Sequence, residues 1–403
     1  MKKLLFKGGY ADITPANKLP LAGYASRKGA FSRVADRLEA DVAIVSDGTH
    51  RSVIISCDLL YVGRGLSALI ADKLGGTVSP RELFITATHT HFAPATDSTK
   101  PKLGETSSEY VEFVAERIAG LVRRLLSEKM DERDFCYSRS HGPDITMNRM
   151  NHGFISLLPP KMDIKPKLDG FKDDTIHIIR IADEKDLTKA IIWNYSCHPV
   201  GFYDLNAVSS EFPGAVRDIV RKDAGEQVPV LFLQGFSGDI RPFLRTGSRK
   251  SFFGPVFKGF DEPQYRQWTG VLGKVISDSA RSGCGKSLEP TLKSSEAEMP
   301  LAEIGLQGSD EPIRFKSIDI GDVKLVGISA EPVAEYVPIM QNYFPKSSVV
   351  PVGCLGHVFG YLPTSEMLGE KEYEVRGFQE FFNLNGSFDP RVQQKVEKAI
   401  GSL

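Results

Sequence analysis

A chain of 403 residues has room for one large domain or two. Its 41% hydrophobic and 25% charged residues are the make-up of an ordinary globular protein, not of a disordered or fibrous one. Fifty basic residues against fifty-one acidic ones leave a formal net charge of −1, which argues against a nucleic-acid or polyanion partner.

The N-terminal MKKLLFKGGYADITP starts like a leader peptide, but Lys7 interrupts its apolar stretch after three residues. No signal-peptide core forms, and a cytoplasmic location is expected. ADVAIVSDG and RSVIISCDLLYV are β-branched runs flanking Asp47-Gly48-Thr49-His50, a hairpin signal. RGLSALIADKLG reads as a helix closed by Gly75. LFITATHTH is the next strand, and SSEYVEFVAERIAGLVRRLLSEK a helix with a serine start. TIHIIRIAD and KAIIWNYSCHP read as paired strands, EFPGAVRDIVRKDAG as a helix, and VPVLFLQGFSGDIRP as a strand entering a glycine turn. The helix EPQYRQWTGVLGKVISDSARSG, the hairpin IRFKSIDIGDVKLVGISAEPV, the helix VAEYVPIMQNYF, the strand SSVVPVGCLGHVFGYLP and the helix DPRVQQKVEKAIGSL complete the chain. No run reaches the roughly 18 apolar residues of a membrane span. Pro/Gly-rich stretches near 142–170 and 245–262 read as long surface loops. Strands and helices alternate, which predicts an α/β (α+β) fold, a mixed β-sheet core with flanking helices, in one domain over 1–403. The five cysteines, Cys57, Cys136, Cys197, Cys284 and Cys354, lack CxxC spacing and read as reduced thiols.

Several apolar strands end in a residue able to bind a metal or move a proton: His89 and His91, His198, Glu331 and Tyr361. Alternation along a strand puts His89 and His91 on one face. Two imidazoles, a carboxylate and an open position describe a catalytic zinc site, with a phenol as further ligand or oxyanion holder. Taken singly, a strand-end histidine is more often a hydrogen-bonded structural residue, and a Glu before Pro more often a helix cap. The two imidazoles of His-x-His repel when charged, which makes that pair the stronger signal. His50 reads as a turn residue, His177 as part of an alternating strand, and His141, His152 and His357 as polar or structural. The turn Gln234–Pro242, QGFSGDIRP, lacks a Walker lysine and the GxGxxG and GxSxG spacings. It reads as a tight turn bringing backbone N–H groups and Asp239 or Arg241 to a site.

GYADITP, AGYA, THTHFAP, MNRM, CHPVG, GFSGDIRP, ISAEPV and FGYLPTSEMLGEKEYE occur in this order. In that order the chain resembles the N-terminal catalytic domain of neutral/alkaline non-lysosomal ceramidases, as a divergent member without their C-terminal immunoglobulin-like domain. The resemblance implies a zinc amidase that cleaves an N-acyl bond by attack of zinc-activated water. It puts zinc on His89, His198, Glu331 and Tyr361. It makes His91 the catalytic proton carrier, Tyr373 the oxyanion support, and Arg149 part of the substrate pocket. The turn residues Ser237, Gly238, Asp239 and Arg241 fall on the substrate side. Where the family has a serine that touches the scissile amide, this chain has Arg241, so a smaller or anionic N-acyl substrate is expected. A zinc esterase or lactonase, and an inactive zinc-binding scaffold, are the alternatives. The expected partner is a small molecule, and the sequence is silent on oligomeric state.

Overall fold

The computed structural model describes residues 3–149, 152–157, 160–244, 257, 259–281, 285–369 and 373–403. Cys284, Met150 of the MNRM motif, part of EMLGEKEYE and most of 245–262 lie outside them. The larger sheet runs Val230–Gln234, Thr188–Tyr195, Thr175–Ala182, Asp131–His141, Leu4–Asp12, Glu39–Ser46, Arg51–Cys57, Leu83–Ala87. The first and last pairs in that order are parallel and the pairs between them antiparallel, so the sheet is mixed. A second sheet, Leu292–Met299, Ile313–Ile320, Val323–Ile328, Ser348–Val352, packs face to face on the first.

Period-two alternation sorts the side chains into layers. Ala43, Val45, Ile54, Phe84, Ile179, Ile181, Leu231 and Leu233 meet Ile318, Ile320, Leu325, Val350 and Val352 between the sheets. On the opposite face of the large sheet, Val42, Ile44, Val53 and Ile55 pack under the helices Gly63–Leu74 and Ser108–Ser127. Ile176, Ile178, Ile191 and Trp193 pack under Glu211–Ala224 and Glu262–Arg281. The outer face of the small sheet carries Tyr336–Tyr343 and Val392–Gly401. The architecture is therefore helices, sheet, sheet, helices. The central strands are covered on both faces, which explains their unbroken apolar runs.

The predicted caps are present: the Ser107 side chain accepts from the Tyr110 N–H, and Gly75 closes its helix at φ +58°. Two strands are hidden in polar sequence, Leu4–Asp12 and Asp131–His141. Within 142–170, read as loop, His152–Leu157 and Pro160–Ile164 form an antiparallel hairpin. The reading of all cysteines as reduced needs correction. Cys57, Cys197 and Cys354 are free, but Cys136 is disulfide-bonded, so cysteine usage no longer argues for a reducing compartment. Among the described residues no helix is long and apolar enough to cross a membrane.

The two sheets interlock where their strands end. The Thr86 hydroxyl donates to the Gly353 carbonyl at 3.0 Å, and the Asn194 amide donates to Leu233 and Pro351 carbonyls at 2.8 and 2.6 Å. The Cys354 N–H donates to Ala330 and that of Gly353 to Gln234. The segments that leave these strand ends therefore converge on one place.

Candidate metal centre

The strand Leu83–Ala87 ends before the histidine pair. His89 sits outside it with φ +68°, a left-handed conformation rare for a residue with a side chain and common at functional sites. Pleat alternation is thus not what brings His89 and His91 together; a backbone kink does. Their ring centroids lie 5.0 Å apart, and those of His89 and His198 4.6 Å apart. The Nδ1 of His89 donates to the Leu60 carbonyl at 3.0 Å, and the Nδ1 of His198 to the Ser237 carbonyl at 2.8 Å. A carbonyl only accepts, so each Nδ1 carries the hydrogen and each Nε2 of the neutral ring is a lone pair.

Those two Nε2 atoms face each other at 3.0 Å, and Glu331 Oε2 lies 3.3 Å from both. Three acceptor atoms in buried contact repel unless a cation or a proton lies between them. Burial lowers the His89 pKa, but the fields of Cys354 and Glu331 outweigh it and raise it well above 6.5. Burial also works against the Glu331 carboxylate, yet His89 and His198 hold it well below its usual range. Burial, then the charge of Arg149, push His198 down to about 3. A zinc ion with tetrahedral ligands at 2.0–2.1 Å sets neighbouring ligand atoms about 3.3 Å apart, so these residues fit that ion.

Glu331 and Tyr361 sit side by side in a short parallel ladder, and the Glu331 N–H donates to Gly360. The Tyr361 hydroxyl accepts from Arg149 Nη2 at 3.1 Å, and its ring lies parallel to that of His198 at 6.5 Å. Arg149 is anchored through Nε to Glu374 at 2.8 Å, and its guanidinium lies 5.8 Å from the Tyr373 ring. The Tyr361 and Tyr373 rings are 5.3 Å apart.

His91 is the half-buried member of a histidine cluster whose nitrogens lie within 4.8 Å of one another. Its Nδ1 is 3.2 Å from the Gly23 carbonyl, and its Nε2 has no hydrogen-bond partner among the described residues. Burial, then the charges of His89 and His198, hold its pKa well below 6.5, so the ring is neutral and basic at one nitrogen. Gly23 explains the AGYA motif: it has φ +101°, and a Cβ there would lie 2.5 Å from His91 Nδ1.

The glycine turn stands behind the centre. The Gly238 N–H donates to Pro332 at 2.9 Å, and a Cβ on Gly238 would lie 2.6 Å from the Glu331 carbonyl. Ser237 supplies the carbonyl that orients His198, while its hydroxyl accepts from Gln234. Asp239 accepts from the Asn148 amide at 2.6 Å and the Ala334 N–H at 2.9 Å; burial pushes its pKa up to about 7. Its carbonyl receives the Arg149 N–H at 2.7 Å. Glu211 is committed to the N–H groups of Gly201 and Phe212, both at 2.5 Å. Arg241, in register with Met147, lies over the Phe257 ring at 5.0 Å.

Sequence reasoning missed Tyr61. Its hydroxyl donates to Glu331 Oε1, and its ring lies 5.2 Å from that of His89. Lys100 lies 5.5 Å over the Tyr61 ring and pairs with Asp97, in a contact where both side chains are about 4% exposed. The one trace of Tyr61 in the sequence is its place just after the strand Arg51–Cys57. Arg27 and Glu374, also missed, carry no sequence pattern.

The structure matches neutral ceramidase from Pseudomonas aeruginosa with a TM-score of 0.78 at 15% identity, over 100% of this chain and 74% of that one. The chain has the neutral ceramidase fold. A ceramidase complexed with C2 matches it with a TM-score of 0.77, again at 15% identity over 100% and 74% of the two chains. No family model matches the chain. The mixed-sheet α/β expectation and the ceramidase resemblance therefore hold at the level of the fold. On that fold, the metal-type residues of the two sheets meet at one buried point.

Proposed function

We propose that this ceramidase-fold chain is a zinc-dependent hydrolase of N-acyl bonds, acting on a compact or anionic substrate. One observation carries the reading. Two imidazole lone pairs, locked inward by backbone carbonyls, and the Glu331 carboxylate meet at 3.0–3.3 Å in a buried site. His89, His198 and Glu331 would hold the ion, with Tyr361 as fourth ligand. When bound, zinc polarises the scissile carbonyl and brings the pKa of water to about 7.

The chain's own residues do the rest. His91 takes up a proton at Nε2, the nitrogen without a hydrogen-bond partner among the described residues, and returns it to the leaving nitrogen. Arg149, fixed by Glu374, keeps the Tyr361 hydroxyl in place and lends positive charge to the developing oxyanion. The Tyr373 phenol, kept protonated by burial and by the Glu331 charge, donates to the same oxygen. Each well-placed donor is worth roughly 3–4 kcal/mol in the transition state. The turn Ser237-Gly238-Asp239 sets the wall from which Arg241 meets the substrate.

The test is metal content together with turnover on matched N-acyl amides and chromogenic esters. About one zinc per chain with amide turnover supports the reading. Zinc with ester turnover alone moves the activity to an esterase, and a protein that takes up no transition metal refutes it.

A further inference from the structure

Arg27 is held in an unusual state beside His91. Its Nη1 donates to the Ala22 carbonyl at 3.0 Å and to the His91 carbonyl at 2.9 Å. Its guanidinium lies against the Tyr24 ring at 4.9 Å and the Phe92 ring at 5.3 Å. The head group is thus fixed in position and orientation. Its other two nitrogens, Nε and Nη2, are buried without a hydrogen-bond partner among the described residues. Those two N–H groups form one edge of the guanidinium, the edge that grips both oxygens of a carboxylate side-on. A buried cationic edge without hydrogen bonds is costly, and an anion that reaches it removes that cost.

The surroundings favour an anion. The Tyr24 ring stands 5.2 Å from that of His91, and the charges of Arg241, Arg27 and Arg149 all reach its hydroxyl. The acidic group that also acts there, Glu211, has its oxygens taken by backbone N–H groups. Burial lowers the pKa of Arg27 to about 10, which leaves it charged at neutral pH.

We propose that the Nε–Nη2 edge of Arg27 is a carboxylate subsite beside His91, and that the substrate is an N-acyl amino acid whose carboxylate lies on the His91 side of the scissile bond. This deepens the hydrolase reading and rests on it for the placing of the scissile bond; the anion site itself does not depend on turnover. The probe is the uncleavable ketone in which a methylene replaces the amide nitrogen of N-hexanoylglycine, compared with the primary amide of the same acid. Calorimetry on the zinc-loaded protein should show the acid binding on the order of ten- to hundredfold more tightly than the amide. Arg27→Gln should abolish that preference, and Arg27→Lys, which keeps the charge without the fork, should retain part of it. Equal binding of acid and amide by the wild-type protein overturns the proposal, whether or not the variants fold. So does a preference that persists in Arg27→Gln, which would place the carboxylate on the metal or elsewhere. Arg27-dependent binding of the acid without turnover of N-hexanoylglycine keeps the subsite and overturns the hydrolase reading instead.

Discussion

Replacing Tyr61 with Phe removes a single oxygen from the wall of the candidate metal centre. The Tyr61 hydroxyl donates to Glu331 Oε1, while Oε2 faces the two imidazoles. The hydroxyl therefore ties down the carboxylate oxygen turned away from the imidazoles and would keep Glu331 a one-oxygen ligand of the proposed zinc. A hydrogen bond to a charged group is worth about 1.5–3 kcal/mol. Losing an outer-shell partner of a metal ligand typically costs 10–100-fold in affinity, or roughly 1.4–2.7 kcal/mol. The two routes agree, so Tyr61→Phe should bind zinc about 10–100-fold more weakly. The phenyl ring can keep its packing against His89 and Phe382, whose ring centroids lie 5.2 and 5.9 Å from that of Tyr61, so the fold should survive. Competition with a chromogenic chelator reads the affinity. Cobalt(II) substitution reads the geometry: if the freed Oε1 also binds, coordination number rises and the visible absorption weakens. Unchanged affinity, within threefold, and an unchanged cobalt spectrum would refute the argument that Tyr61 restrains Glu331.

His89→Ala and His198→Ala should each strip the zinc, measured by elemental analysis after dialysis. His91→Ala should keep the zinc and lose roughly 10²–10⁴-fold in kcat; loss of metal comparable to His89→Ala would show that His91 is a ligand. Gly23→Ala should resemble His91→Ala in kinetics, because its Cβ falls 2.5 Å from His91 Nδ1 and φ is +101°; wild-type kcat would refute this. His177 is away from the metal centre, and burial, then the charge of Arg139, depress its pKa from 6.5 to about 4. Between those two values the unfolded chain binds more protons, so stability is present above pH 6.5 and is lost as pH falls through about 4. The gap is worth roughly 3 kcal/mol, and denaturant melts of His177→Gln, which cannot titrate, should show a correspondingly flatter acid limb.

Much of the fold could be read from residues that are buried on both faces. Strands such as Arg51–Cys57 and Thr188–Tyr195 announce themselves because each side chain must be apolar or satisfied. Leu4–Asp12 and Asp131–His141 escaped notice because their half-exposed residues need no such pattern. The strand-end rule picked out His89, His198, Glu331 and Tyr361, which the fold does bring together. It did so partly for the wrong reason, as the φ of His89 shows. Tyr61 was missed because a tyrosine after a strand is unremarkable until its carboxylate partner, 270 residues later, comes into view. Arg27 could not have been found at all: its proposed role rests on which of its nitrogens lack a hydrogen bond among the described residues.

The three histidines of the centre are oriented by peptide oxygens, those of Leu60, Ser237 and Gly23. Main-chain groups do not change when a codon does. The chemical state of His89 and His198 is therefore insulated from substitution at Leu60 and Ser237, provided that the backbone path is kept; Gly23 is the exception, because a Cβ there would meet the His91 ring. The proposed substrate wall enjoys no such protection, because Arg27, Arg241 and Tyr24 would act through side chains. A scaffold of this kind can exchange one substrate for another while its reactive core stays as it was. An engineer who wants a new specificity should randomise the wall and leave the three carbonyl-bearing turns alone.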